Sequence, residues 1–260
     1  MGVILQKHLP QMPWMSPVTA RLPGIQPVKD GDWLRLDEAF TEQMAERDRL
    51  IREHRDAVHA LLPEAEPAAL ELLRMIVEQE LPRLGGYQIS NGEVVRPDGQ
   101  RVLLDEAEPL VTLGRLVQED FVIHLKSGEE HRFMGAILCF PASWTLAQKI
   151  GKPLTGVHAV VEEYDAGIAA RVQRLFDGVR VGQPMWRANA LLYEDPSLHQ
   201  PRLEGEVRPK PQSRNYLRSE RQCLMRLPVS GAVVFSIHTT IVHVDDVPLE
   251  ALEAFRSLHP

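Results

Sequence analysis

The sequence predicts an α+β protein built on a mainly antiparallel β-sheet. Its first third carries charged stretches in which apolar residues recur at helical spacing, whereas its last third consists of strand-like runs separated by short turns. Helical and strand-like stretches are therefore grouped along the chain instead of alternating. This grouping favours hairpin connections over the helical crossovers that a parallel sheet requires.

Composition and charge exclude several classes of protein. The chain has 260 residues with 36 acidic and 29 basic side chains, a formal net charge of −7. Nucleic-acid binding needs clustered lysine and arginine, which this balance does not favour. No apolar run approaches the ~20 residues of a membrane-spanning helix, and the first residues resemble no secretory signal. Because Cys139 and Cys223 are too few for a disulfide framework, we expect a cytoplasmic protein.

The amino-terminal part is predicted to be an extended arm followed by two helices. Residues 1–30 are rich in proline and show little periodicity. Apolar residues then recur every three or four positions among many charges over 36–62, and again over 67–81, as in amphipathic surface helices. We expect these helices to form a helical hairpin within residues 1–84, packed on a main unit of residues 85–260.

Strand and turn patterns dominate the predicted main unit. Asn91-Gly92 is a strong hairpin signal because both residues tolerate positive φ, and Ser127-Gly128 marks another turn. Pro228 to Gly231 turns the last two strands into a hairpin. The predicted elements are strands at 87–89, 94–95, 121–125, 132–140, 186–193, 216–227 and 232–244, with helices near 145–150, 165–176 and 248–258.

Common catalytic motifs are absent, so polar residues in apolar contexts become the candidates. The sequence contains no GxGxxG, GxxxxGK[ST], HExxH or GxSxG pattern. His158 follows Trp144 and a predicted short helix, and it lies between Val157 and a run of small apolar residues. A neutral imidazole in an apolar slot suits axial ligation of haem iron. On spacing alone, a buried histidine bonded to a backbone carbonyl is the favoured alternative.

A second candidate cluster lies on the predicted strand at 216–227. Alternation places Arg218, Glu220 and Gln222 on one face, and Arg221 with its alternating neighbours on the other. Each face therefore carries an arginine, a residue that binds carboxylates in bidentate fashion. Either one arginine is directed into a pocket or the strand simply presents a solvated face.

Two further candidates come from neighbouring strands. His238 shares a predicted face with small and polar side chains, which indicates a pocket wall. A metal site formed by His238 with His124 or His131 is an open alternative, but the spacing of these residues does not support it. Trp186-Arg187-Ala188-Asn189 opens another strand with one large aromatic and two polar side chains. Such groups are more often structural than functional.

Taken together and in this order, these stretches resemble the haem-dependent oxidative N-demethylase family. The resemblance covers most of the chain. The matching stretches are FPASW (140–144), KIGKPLTGVH (149–158), WRAN (186–189), LRSERQCLMRLP (217–228) and SGAVVFSIHT (230–239).

The resemblance implies a PAS-like haem pocket in which a histidine ligates the iron of haem b. It also implies that a methyl group is removed oxidatively from a small amine such as dimethylamine, with O₂ and supplied electrons, and that formaldehyde is released. In such systems a separate flavin and iron–sulfur reductase provides the electrons, and a folate-binding subunit receives formaldehyde. This chain has neither a flavin fingerprint nor a cysteine-rich cluster, so it resembles the haem subunit.

Carried onto this sequence, the resemblance makes His158 the candidate iron ligand. Arg218 and Arg221 become candidates for pairing with haem propionates or for structural pairing. Trp144 is a candidate to stack on the porphyrin or face an alkylammonium. Glu220 is a candidate counter-charge for the amine, or a hydrogen-bond partner near the haem.

The resemblance also shows two departures. Arg187 and Asn189 match an RxNW motif and are candidate cofactor-binding residues, but Ala190 replaces the tryptophan. His238, a second candidate catalytic residue beside Glu220, occupies a position where the family pattern implies arginine. Because a PAS-like fold is more often a sensor than an enzyme, the alternative function is a non-catalytic PAS-like haem or small-ligand sensor.

Overall fold

A seven-stranded antiparallel sheet dominates the computed structural model, which describes residues 2–20, 24–157, 166–207 and 211–258. Its strand order is β1-β8-β9-β10-β6-β7-β2, and a separate three-stranded sheet has the order β3-β4-β5. The strands are β1 (Gln26–Pro27), β2 (His59–Leu61), β3 (Gln88–Ser90), β4 (Glu93–Val95), β5 (Arg101–Leu103), β6 (Asp120–Ser127), β7 (Glu130–Ile137), β8 (Met185–Tyr193), β9 (Tyr216–Arg226) and β10 (Val233–His243).

Helices flank this sheet, so the predicted α+β class is confirmed. The α-helices are α1 (Phe40–Glu53), α2 (Arg55–Val58), α3 (Glu66–Met75), α4 (Leu81–Leu84), α5 (Pro109–Gly114), α6 (Leu154–Val157), α7 (Ala166–Gly178) and α8 (Leu249–Leu258). A π-helical segment, Ile76–Glu80, joins α3 to α4. Short 3₁₀ turns lie at Pro13–Met15, Pro63–Ala65, Leu146–Gln148 and Val244–Asp246. No helix of the described residues is long and apolar enough to cross a membrane.

The predicted hairpins form where the turn residues place them. β3 and β4 pair around Asn91-Gly92, and Gly92 has φ of 81°. β6 and β7 pair around Ser127-Gly128, with one register shift beside His124. β9 and β10 pair along their full length, from Val233 opposite Arg226 to His243 opposite Tyr216. These pairs place the residues of the candidate clusters in fixed register.

The amino-terminal helices differ from the prediction. The first helix ends at Glu53 instead of continuing to residue 62, and residues 59–61 form β2, which pairs with β7. The spacing of Val58 and Leu62 continues the helical pattern, but pairing with the edge of the sheet overrides that local preference. A strand therefore separates the two helices. The first 84 residues supply both edge strands of the large sheet, β1 and β2.

The two faces of the large sheet are covered differently. On one face, α1, α3 and α5 pack over the strands in the largest hydrophobic cluster, which includes Trp33, Phe121 and Val234. Arg47 crosses this core fully buried, and its Nη1 lies 2.7 Å from Oδ1 of Asp120. Asp120 also accepts hydrogen bonds from the backbone N–H groups of Cys139 and Phe140. This network fixes the end of β7 and the start of the segment at 140–144.

Candidate functional site

The opposite face of the sheet carries a cavity of about 450 Å³. Its walls are mainly apolar and come from β6, β7, β8, β9, β10, α6, α7 and the segment at 142–149. A cavity of this size and character suits a small molecule or a cofactor. The lining residues are Val122, His124, Phe133, Ala142, Ser143, Trp144, Lys149, Leu154, Val157, Val172, Leu175, Phe176, Arg187, Glu220, Gln222, Leu224, Phe235 and Ile237.

Glu220 is a buried carboxylate in the cavity wall, with 8% of its surface exposed. Asn189 lies directly opposite it on β8, and the Asn189 Nδ2 donates to Oε2 of Glu220 at 3.4 Å. Gln222 Nε2 donates to the same oxygen at 3.2 Å, and Arg218 Nε to Oε1 at 3.4 Å. These neighbours hold the carboxylate in one place. The predicted shared face of Arg218, Glu220 and Gln222 is confirmed.

Arg187 contributes a cation to the same wall. Burial lowers the pKa of its guanidinium, and the nearby charge of Glu220 offsets this only in part. Its Nε is buried without a hydrogen-bond partner, and it forms no ion pair with any carboxylate of the described residues. A guanidinium whose charge is only partly compensated is unfavourable beside an apolar cavity. The site is therefore suited to a ligand that brings an anionic group to Arg187.

Trp144 lines the cavity beside a strained residue. Its ring contacts Phe133 edge to face, with centroids 6.3 Å apart. Ser143 has φ of 69° and is the one non-glycine residue with positive φ in the described ranges. The Ser143 backbone N–H donates to the carbonyl of Gln200, and its hydroxyl accepts from Arg202. The loop around residue 200 thus holds the chain in the conformation that places Trp144 at the cavity.

Arg218 fastens two loops to the sheet. Its Nη2 donates to the carbonyl of Phe140 at 2.6 Å, and its Nη1 to the carbonyl of Leu198 at 2.9 Å. With its contact to Glu220, each of the three guanidinium nitrogens of Arg218 has a partner within the protein. Of the two predicted roles for Arg218, propionate pairing or structural pairing, the geometry favours the structural one.

Arg221 points to the other face of the sheet, as alternation predicted. Its guanidinium donates to the carbonyls of Asp32 and Trp33 and lies over the ring of Trp186, 5.1 Å from the centroid. Burial is the largest effect on its pKa and lowers it. Arg221 therefore fixes the amino-terminal segment to the sheet and does not line the cavity.

His238 also lies on that other face, directly opposite Arg221 in the β9–β10 ladder. Its ring is clamped between two carboxylates, with Nδ1 3.0 Å from Glu119 Oε1 and Nε2 3.1 Å from Asp37 Oδ2. Burial lowers the pKa of His238, but the bonds to Asp37 and Glu119 outweigh it and raise the pKa to about 9. The ring is thus a buried cation at neutral pH. It borders a second cavity of about 420 Å³, away from Glu220 and Trp144.

The alternative metal site with His238 is not assembled. His124 lines the first cavity, whereas His238 lies across the sheet from it. In the part of the chain that the structure describes, no group of three or more His, Cys, Asp or Glu side chains is placed to hold a metal ion. His158, the predicted iron ligand, lies outside the described residues.

Both departures from the family pattern lie away from the cavity. Ala190 packs near Leu217 and Val242, in a hydrophobic cluster that also contains Trp14 and Phe255. Its neighbour Asn189 is the residue that contacts Glu220. Since His238 is also on this far face, neither change alters a residue that lines the cavity.

Sequence reasoning overlooked Lys149 as a cavity residue. Lys149 is 4% exposed and lines the cavity between Trp144 and Leu154. The signal was its position in the KIGKPL stretch, where apolar Leu146 and Ile150 flank a lysine in a predicted short helix. A lysine on the buried side of such a helix needs a partner, which the sequence alone does not identify.

The protein is thus an α+β protein whose antiparallel sheet packs against helices on one face. On its other face lies a mainly apolar cavity with a few polar side chains from the sheet, which suits a small ligand or cofactor. The sequence from residue 24 to residue 258 matches the family model described as haem-dependent oxidative N-demethylase, alpha subunit-like. The chain therefore belongs to this family, and the resemblance found in its motifs is confirmed.

Proposed function

We propose that this chain is a haem-binding subunit that oxidatively demethylates a small secondary amine of the dimethylamine type. Membership of the N-demethylase family supports the proposal. The structural observation that carries it is Arg187 in the wall of a mainly apolar cavity, with its buried Nε left without a hydrogen-bond partner among the described residues. A porphyrin has apolar faces and anionic propionates, so it matches both features of this wall.

The residues present fit haem b in their chemistry. Phe133, Phe176 and Leu224 provide apolar contact surface in the cavity, and Arg187 would bind a propionate. His158 is the proposed iron ligand on the strength of the family motif alone. The sheet that bears the cavity on one face supports the PAS-like description of the pocket, which is part of this proposal.

Bound haem would supply the oxidising chemistry that, with O₂ and electrons, converts the methyl group to formaldehyde. The chain's own residues would bind and orient the amine. Glu220 would attract the ammonium form of the substrate, and Asn189 holds that carboxylate in place. Trp144 would add a cation–π contact from the neighbouring wall. We assign no role at the reacting atoms to His238, because it lies across the sheet.

The electrons would come from a separate flavin and iron–sulfur reductase subunit. The family description as an alpha subunit supports a partner subunit of some kind. The cysteine content of the chain also supports it, since two cysteines are fewer than the four that a ferredoxin-type iron–sulfur cluster takes.

An absorption spectrum of the purified protein, expressed with a haem precursor, tests the proposal first. We expect a Soret band at stoichiometric haem, a spectral change on titration with dimethylamine, and formaldehyde when reductant and O₂ are added. A Soret band without the amine response or formaldehyde would identify the alternative, a non-catalytic haem-binding sensor. Absence of a Soret band after haem reconstitution would contradict haem binding.

A further inference from the structure

Gln222 lies in the cavity wall with one polar atom left without a partner. It follows Glu220 by two positions on β9 and shares its face of the sheet. Its Nε2 donates to Oε2 of Glu220 at 3.2 Å, which orients the amide. Its Oε1 accepts no hydrogen bond from any residue within the described ranges, and the side chain is half-buried. An amide oxygen is a hydrogen-bond acceptor, so this atom is available to a ligand in the cavity.

Glu220 also retains the capacity to accept a hydrogen bond. Among the described residues, its Oε1 is contacted by Nε of Arg218 at 3.4 Å. Its Oε2 is contacted by the amides of Asn189 and Gln222, at 3.4 and 3.2 Å. A carboxylate offers about four acceptor sites, and these three contacts are longer than the most common N–H···O distance of about 2.9 Å. Glu220 can therefore accept an N–H group from a ligand that also reaches Gln222.

Apolar side chains border these two acceptors. Ile237 lies directly opposite Gln222 on β10, and Leu224 follows Gln222 on the same face of β9. Phe235 lies opposite Leu224. Cross-strand neighbours on one face have Cβ atoms about 4.5–5.5 Å apart, so apolar surface lies close to the polar pair. The wall thus offers two acceptors among apolar side chains, which fits a small cation that carries both N–H and methyl groups.

We propose that Gln222 is a specificity-determining residue that, together with Glu220, selects a secondary ammonium ion. A protonated secondary amine carries two N–H groups, of which one donates to the Glu220 carboxylate and the other to Oε1 of Gln222. A tertiary ammonium ion has a single N–H group, which the charged carboxylate accepts. This inference rests on the proposed function for the class of ligand, a small alkylamine. The preference for a secondary over a tertiary amine comes from the two acceptors.

The test compares the affinities of protein variants for dimethylammonium and trimethylammonium at neutral pH. Calorimetric titration gives both affinities, in the haem-loaded and in the haem-free protein. Q222M keeps the length of the side chain but has no acceptor oxygen. We expect it to lower the ratio of the dimethylammonium affinity to the trimethylammonium affinity about tenfold. The ratio is decisive because loss of the bond from Gln222 to Glu220 would by itself weaken both ions equally.

Three further variants provide the controls. Q26M makes the same substitution at a half-buried glutamine on β1 of the same sheet, outside the cavity, and should keep the wild-type ratio. Q222E retains an acceptor oxygen and should restore the ratio. E220Q should weaken binding of both ions about tenfold, because each ion donates to this carboxylate. If Q222M fails to fold, Q222L replaces it, with the same expected ratio.

Failure of this inference and failure of the proposed function give different results. An equal ratio in Q222M and the wild type would overturn the inference, since Gln222 would then only hold Glu220 in place. Formaldehyde formation by the haem-loaded wild type would still support the proposed function in that case. If the wild type binds no haem, the proposed function fails, and the ratio in the haem-free protein still decides the inference. A wild type that binds neither ion would contradict both.

Discussion

Arg221 and His238 face each other across the β9–β10 ladder, and both point away from the cavity that Glu220 lines. Each is a buried cation with oxygen partners: Arg221 binds two backbone carbonyls, and His238 binds two carboxylates. The pair ties the amino-terminal segment to the sheet. Arg221 and His238, both candidates for chemistry from their sequence context, thus stabilise the face opposite the candidate site.

Replacing His238 by alanine should destabilise the fold and leave the ligand cavity unchanged. The substitution leaves Asp37 and the fully buried Glu119 without their shared cation, a loss of about 3–5 kcal/mol for a buried ion pair. Urea unfolding of H238A measures this loss. His54→Ala, at an exposed histidine directly after α1, is the control and should stay within about 0.5 kcal/mol. Unchanged stability of H238A would contradict the assignment.

The stability contributed by His238 should disappear at alkaline pH. Its folded pKa is raised to about 9, above the ordinary value near 6.5, so its contribution is complete below about pH 6.5 and is lost as pH rises through about 9. The free energy of unfolding of the wild type should therefore fall over this range relative to H238Q. Parallel curves for the two proteins would show that the ring is not a buried cation.

The main strands could be predicted from sequence because local signals agree with the tertiary structure. The Asn91-Gly92 turn fixes one hairpin, and the alternation over residues 216–226 places Glu220 and Arg221 on opposite faces, as observed. The edge strands β1 and β2 carry no comparable signal. Residues 59–61 form a strand only because the edge of β7 lies beside them.

The side of the sheet that bears the cavity could not be predicted. Alternation gives two faces but not the elements that cover each one. α7 and the segment at 142–157 cover the Glu220 face, whereas the long amino-terminal helix α1 covers the Arg221 face. Because of this arrangement of covering elements, Arg187 and Trp144 line the cavity, whereas Arg221 and His238 do not. The proposed iron ligand His158 stays a prediction.

Ser143 should tolerate glycine better than a branched side chain. Its φ of 69° lies in the left-handed region, which costs a non-glycine residue about 1–2 kcal/mol. Ser143→Gly should therefore be neutral or stabilising, and Ser143→Val should destabilise by at least about 1 kcal/mol. Ser143→Ala isolates the hydroxyl bond to Arg202. The melting temperatures of the variants should follow the same order, with Ser143→Gly above Ser143→Val. Equal stability of these two variants would contradict the left-handed conformation of residue 143.

Replacing Arg187 by leucine should have opposite effects on stability and on haem binding. Without ligand, R187L removes a guanidinium whose Nε is buried and unpartnered, so the free energy of unfolding should rise by about 1 kcal/mol. Haem affinity should fall about tenfold, because a propionate loses its charge-assisted partner. Arg187→Lys should keep part of the affinity, since a lysine retains the charge but not the bidentate geometry.

Haem dimethyl ester, which has no free propionate, provides the control for Arg187. The wild type and R187L should bind this ester with the same affinity, because the ester offers no anion for the guanidinium to bind. If R187L weakened binding of the ester as much as that of haem, Arg187 would act by shaping the cavity wall. If R187L left haem affinity unchanged while lowering stability, the guanidinium would have a structural partner, and the observation that carries the proposed function would be lost.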